Sequence, residues 1–145
     1  MYFKRYLINI FCLFPLLLGG LIYISFRDED ILLLYWLRKL NLNYSLLRYT
    51  INTDNNIIKS YIIYSLPNGL WLLSGMLIIG IIWKNKQFYF YLYTSILIFI
   101  ALFIEISQIF NIIRGTFDLI DIFTIIVFSF IGIFYYKLRG YNEKK

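Results

Sequence analysis

The sequence predicts an all-α integral membrane protein, with four transmembrane helices and an interfacial amphipathic helix between the first and second. Three observations carry that expectation. Apolar side chains make up 61% of the chain and charged ones 15%, against roughly 45–50% and about 25% in soluble domains. The apolar residues fall into runs long enough to cross the roughly 30 Å hydrocarbon core of a bilayer. The charges gather between those runs, except in the stretch 105–121. A soluble fold of this length could not hide so much apolar surface without exposing large patches. Its 145 residues allow one membrane domain, 1–145.

The first run, 6–26, follows the basic lead MYFKR and reaches about 31 Å at about 1.5 Å per residue. Lys4 and Arg5 also resemble the basic start of a signal peptide. The run is too long for one, however, and Arg27, Asp28, Glu29 and Asp30 stand where small cleavage-site residues belong. An uncleaved span is the better reading.

In 31–51, Leu33, Trp36, Leu37, Leu40, Tyr44, Leu47 and Ile51 recur at helical spacing. If the segment spanned, Arg38 and Lys39 would sit mid-bilayer at about 2.5–3.5 kcal/mol each. A helix lying in the interface avoids that cost, and a helix packed over the mouth of the bundle fits the same pattern. The polar NTDNN of 52–56 reads as an exposed turn.

The second span is expected over 66–83. It would be opened by SLPNGLW, with Ser65 as cap and Pro67 in the first turn, where no backbone N–H is needed. Gly69, Ser74 and Gly75 would let a neighbouring helix approach closely. A basic turn at Lys84 and Lys86 leads to the third span, 88–108, and the fourth is expected over 119–138.

Four spans put both termini on one side. That side receives Lys4, Arg5, Lys84, Lys86, Lys137, Arg139, Lys144 and Lys145, with Glu143 as its only acid, so the positive-inside bias makes it cytoplasmic. The net charge of +6 comes with no basic stripe of free aromatics to follow a phosphate backbone, and nucleic acid is not an expected partner. Histidine is absent and Cys12 is the single cysteine. Ser-His-Asp and Cys-His nucleophilic sites are excluded, and too few ligands remain for zinc.

The stretch EISQIFNIIRGTFDLID, 105–121, interrupts the apolar pattern with Glu105, Gln108, Arg114, Asp118 and Asp121. Charge at the edge of a span is costly, so it marks either function or a packing device. Glu105 and Gln108 share a helix face near the end of the third span, and Asp118 and Asp121 repeat the spacing at the start of the fourth. A tight turn between the spans brings these ends together, with Arg114 between them. Because SLPNGLW faces the same side, Asn68 joins the set. Plainer readings compete: Asp118 or Thr116 as an N-cap, and Arg114 closing the turn through an ion pair. Glu105 and Asp121 lie within their apolar runs, where capping does not explain them.

The pattern Glu105-x-x-Gln108, then Arg114, then Phe117-Asp118-x-x-Asp121 resembles the VanZ-like family. These are small bacterial membrane proteins, named for a member linked to resistance against the glycopeptide teicoplanin. The likeness covers residues 65–136. It departs where the family often has Asp (here Ile120) and Asn (here Ile125), and one extra residue lies between Arg114 and Asp118. Only Gly132 remains of a glycine pair in the last span. The resemblance implies shared architecture and site position more than shared activity, with residence in the bacterial cytoplasmic membrane.

Three function classes follow. The first is a cell-envelope binder. Its outer-leaflet pocket of Glu105, Gln108, Arg114, Asp118, Asp121 and Asn68 would take a lipid headgroup, a peptide stem or a glycopeptide, with Arg114 forking to phosphate or carboxylate. The second is a membrane enzyme acting on a lipid-linked substrate, with Glu105 and Asp121 as the candidate acid and base. No cofactor is called for, although Glu105, Asp118 and Asp121 are the oxygen set that would hold a hard ion such as Mg²⁺. The third is a small structural subunit of a membrane complex, its charges pairing across helices with a protein partner. A proton path through the bundle needs polar steps across the inner half of the fourth span, where Ser129 is the only hydroxyl before the tyrosines.

Overall fold

In the computed structural model, residues 2–26, 32–41, 45–49, 56–113 and 117–142 are described. They form α1 (Tyr2–Phe26), α2 (Leu32–Lys39), α3 (Ile57–Ile82), α4 (Gln87–Ile109) and α5 (Leu119–Asn142). A 3-10 turn at Ser45–Leu47 lies between α2 and α3. Three helices are long and apolar enough to cross a membrane: Ile57–Ile82, Gln87–Ile109 and the Leu119–Arg139 part of α5. α1 adds a shorter apolar stretch, Cys12–Phe26.

The boundaries of α4 and α5 follow the sequence closely, and each end has a local cause. α4 stops because Asn111 takes a left-handed φ of 54°, a conformation Asn tolerates better than most residues. The Asn111 N–H then donates to Gln108 O and the Ile112 N–H to Ser107 O, both at 3.1 Å. This pair of bonds satisfies carbonyls that the helix end would otherwise strand in an apolar setting.

Two expectations are revised. A helix over 31–51 is observed only across Leu32–Lys39. It ends at Asn41, again left-handed with φ 54°. Beyond the 3-10 turn, the Tyr49 N–H donates to Ser25 O at 2.9 Å and ties this segment to the end of α1. The rest of 31–51, like most of the NTDNN turn, lies outside the described residues.

The second revision concerns Ser65. The regular α-helical part does begin at Leu66 with Pro67 in its first turn, but Ser65 makes no side-chain cap and a helix already leads into it. α3 begins at Ile57, capped by Asn56 Oδ1 accepting from the Lys59 N–H at 3.1 Å, and runs unbroken through SLPNGLW to Ile82. Pro67 is accommodated inside it. A proline in a helix interior lacks an N–H and collides with the carbonyl four residues back. Here residues Tyr61–Ser65 open into a π-turn, with the Leu66 N–H reaching Tyr61 O, which widens the helix just ahead of the proline.

α3 is the hub. It packs most extensively against α1 and α5 and also against α4, while α4 and α5 touch each other. Small residues make this possible. A Cβ on Gly69 would stand 2.5 Å from Phe128 Cδ2 and 2.7 Å from Thr124 Cγ2, and one on Gly75 would stand 2.8 Å from Leu97 Cδ2. Gly132 of α5 returns the arrangement, receiving Met76. Toward α1, Ser74 Oγ donates to Cys12 O at 2.7 Å. Lipid is as apolar as leucine, so helices in a membrane associate mainly by such close packing. Leu72, Met76 and Ile125 form the core, with Leu97, Ala101 and Ile133 against it.

The contacts also fix the register. Gly69 faces Thr124 and Gly80 faces Tyr136, so α3 and α5 run parallel; Gly75 faces Leu97 and Gly80 lies near Phe90, so α4 runs antiparallel to α3. Gly69→Leu should destabilise the bundle by about 1–3 kcal/mol through overpacking. Thermal unfolding in detergent should show a lowered midpoint, while Gly20→Ala, whose Cβ would meet nothing within 4 Å, leaves it unchanged.

Candidate functional site

Two carboxylates are taken into the bundle. Glu105 on α4 is 4% exposed and Asp121 on α5 is 7% exposed. Ionised groups leave water only at considerable cost, so this is the least ordinary feature of an otherwise apolar interior. Neither is free: each is engaged in an interaction within the chain.

The helix register brings them to one level. Continuing the α3–α5 register back from Gly69 and Thr124 sets Asp121 beside Ser65. Continuing the α3–α4 register from Gly75 and Leu97 sets Glu105 opposite residues 65–67. Ser65 itself is buried, 2% exposed, and the π-turn that ends at it touches α5. The result is a polar layer near the end of the bundle where α4 turns into α5. Asn68 on α3 and Gln108 on α4 are half-buried on either side of that layer.

The remaining sequence candidates separate. Asp118 is exposed. Its Oδ1 accepts from the Ile120 N–H at 2.9 Å, and its carbonyl accepts from the Asp121 N–H at 3.1 Å. It therefore caps α5, and the shared i,i+3 spacing does not bring its side chain inside with Asp121. Phe117 is half-buried. Arg114 and Thr116 lie outside the described residues.

Two hydroxyls beside the layer, on α4 and α5, are occupied. Ser107 Oγ donates to Phe103 O at 2.6 Å and Thr124 Oγ1 to Ile120 O at 2.7 Å, each to the preceding turn of its own helix. Ser129 does the same to Ile125 O at 2.7 Å. Hydroxyls bound this way have their protons committed to backbone carbonyls. The Leu72–Met76–Ile125 core further separates the polar layer from the opposite end. Among the described residues, no group of three or more His, Cys, Asp or Glu side chains is placed to hold a metal ion.

Sequence reasoning missed Ser65 as part of this layer, having set it at a helix start. The available signal was the stretch 57–64, apolar but for Lys59 and Ser60, leading into SLPNGLW with no Gly, Pro or Asn between, which makes a continuous helix natural and forces a local adjustment ahead of Pro67.

Among the described residues, fold and site together make a helical bundle with three helices long and apolar enough to cross a membrane and a buried acidic layer near one end. No protein-family model, curated protein or solved structure matches the chain.

Asp118→Ala should cost about 1 kcal/mol of stability through loss of the cap, and Asp118→Asn, which keeps a capping oxygen, much less. Chemical or thermal unfolding of the two variants in detergent measures the difference. Equal losses would mean that Asp118 contributes its charge rather than its cap.

Proposed function

We propose that the chain is a VanZ-like binding protein of the bacterial cytoplasmic membrane. In this reading α1 completes a set of four spans, both termini are cytoplasmic, and the 32–49 segment rests on the outer surface. The polar layer of Glu105 and Asp121 is then the floor of an outer-leaflet pocket. Asn68 and Gln108 stand at its sides and Asp118 at its rim, and Arg114, outside the described residues, would join them from the segment between α4 and α5.

The observation that carries the proposal is the burial of two carboxylates, from two different helices, at one level of an apolar bundle. Buried ionisable groups within spans usually belong to a site, because packing alone is served more cheaply by apolar residues. An Arg-and-carboxylate pocket suits a zwitterionic or anionic headgroup, a peptide stem or a glycopeptide. The guanidinium binds phosphate or carboxylate bidentately, and the acids accept from amines or hydroxyls. The π-turn beside the layer also supports the reading, since such turns recur at functional sites in helices. Binding is favoured over catalysis because Ser107 already donates to its own helix.

The test is identification by mass spectrometry of lipids and small molecules that co-purify with the protein in mild detergent. Arg114→Ala and Glu105→Gln should each lower retention of the ligand at least tenfold while helical content and membrane insertion persist. Retention unchanged in both variants would remove the pocket. A bell-shaped pH–rate profile on a lipid-linked substrate, abolished by Glu105→Gln, would favour a membrane enzyme instead.

A further inference from the structure

The opposite end of the bundle carries a second polar feature, independent of the acidic layer. It lies about 27 Å away along α3, taking about 1.5 Å per residue from Ser65 to Trp83. There α3 turns into α4 through Trp83, Lys84, Asn85 and Lys86. Trp83 stacks on Tyr89 at 4.7 Å and on Tyr93 at 5.5 Å between ring centroids. Lys86 Nζ stands 5.7 Å from the Trp83 ring and 5.7 Å from the Tyr89 ring, a cation–π arrangement that holds the ammonium at the surface.

This turn is fastened to the end of α5. Tyr136 Oη donates to the carbonyls of Trp83 and Lys84, at 3.2 and 3.3 Å. The Tyr136 ring lies flat on Phe90, with centroids 3.6 Å apart and planes 5° apart. The last turns of α5, carrying Lys137 and Arg139, are thereby held at the end of the bundle that also carries Lys84 and Lys86. The first turns of α1, which carry Lys4 and Arg5, run toward the same end, because Cys12 already lies level with Ser74. The acids of the described residues, Glu105, Asp118 and Asp121, all belong to the other end, and Glu143 is the only acid that the sequence adds to this one.

We propose that this end is a binding site for the headgroup of an anionic phospholipid. Lys84, Lys86 and Lys137 would contact its phosphate, and its acyl chains would lie along the exposed Phe88 and Leu92 of α4. Charge complementarity selects the occupant. A fixed edge of cations at the head-group level, over a lipid-facing apolar surface, suits a molecule that is anionic at one end and apolar along its length. Stacked aromatic rings are amphipathic and settle at that same depth. Pinning by Tyr136 is what separates this edge from a flexible basic loop, since the backbone of the turn needs little ordering when lipid binds.

The test uses the full chain purified in detergent and equilibrated with equimolar palmitoyl-oleoyl phosphatidylglycerol and phosphatidylcholine, the retained lipid being counted by native mass spectrometry. The wild-type protein should retain phosphatidylglycerol in excess and lose the excess as salt is raised. Lys84→Gln with Lys86→Gln should reduce it roughly fivefold for each lysine removed. Lys84→Arg with Lys86→Arg should keep it, as should Lys59→Gln at the far end. Equal retention of the two lipids by the wild-type protein, insensitivity to salt, or an undiminished excess in the double glutamine variant would overturn the proposal. So would displacement by inorganic phosphate as effective as by phosphatidylglycerol, which would mark a site for a free anion. If the glutamine variant unfolds, the salt series and the lipid comparison on the wild-type protein decide alone.

Discussion

One helix, α3, touches three neighbours at once, and the rest of the structure depends on that. A helix can do this only if its sides are shaped differently toward each partner. Gly69 admits Thr124 and Phe128 of α5, Gly75 admits Leu97 of α4, and Ser74 reaches the Cys12 carbonyl of α1. Where no water drives apolar groups together, such close approach supplies most of the cohesion. Register follows directly, because a glycine notch accepts its large partner at one height only.

Register in turn creates the acidic layer. Glu105 and Asp121 belong to helices that α3 holds at fixed heights, and the same heights bring Ser65 between them. A half-turn rotation of α5 about its axis would set Asp121 at the surface and draw apolar residues such as Phe123 inside. The free-energy cost of keeping two carboxylates in an apolar bundle is thus offset by packing made elsewhere along α3. The π-turn at Tyr61–Ser65 belongs to the same arrangement. It lets α3 pass Pro67 without breaking, so that one helix serves both as hub and as a wall of the layer.

The two ends of the bundle differ in chemistry and in construction. Near the α4–α5 turn, Glu105 and Asp121 lie inside, while Asp118 and Asn111 close helix ends. At the α3–α4 turn, cations lie outside, braced by stacked rings and by the Tyr136 hydroxyl. The described ends of the bundle are thus unlike in both charge and construction. The Leu72–Met76–Ile125 core lies between them.

The sequence alone determined the membrane class, the limits of α4 and α5, and the region that holds the acids. These depend on transfer free energy and on local signals such as Asn111, which act residue by residue. It also separated Glu105 and Asp121 from Asp118, since capping accounts for an acid at a helix start and not for one within an apolar run. Tertiary structure alone decided which polar groups face inward, that Ser65 is an interior residue of a continuous α3, and that the 31–51 segment is broken at Asn41. The physical reason is that a helix periodicity assigns residues to a face but does not say which face meets a neighbour. That is set by the fit of glycines on α3 to large side chains more than fifty residues away in α5.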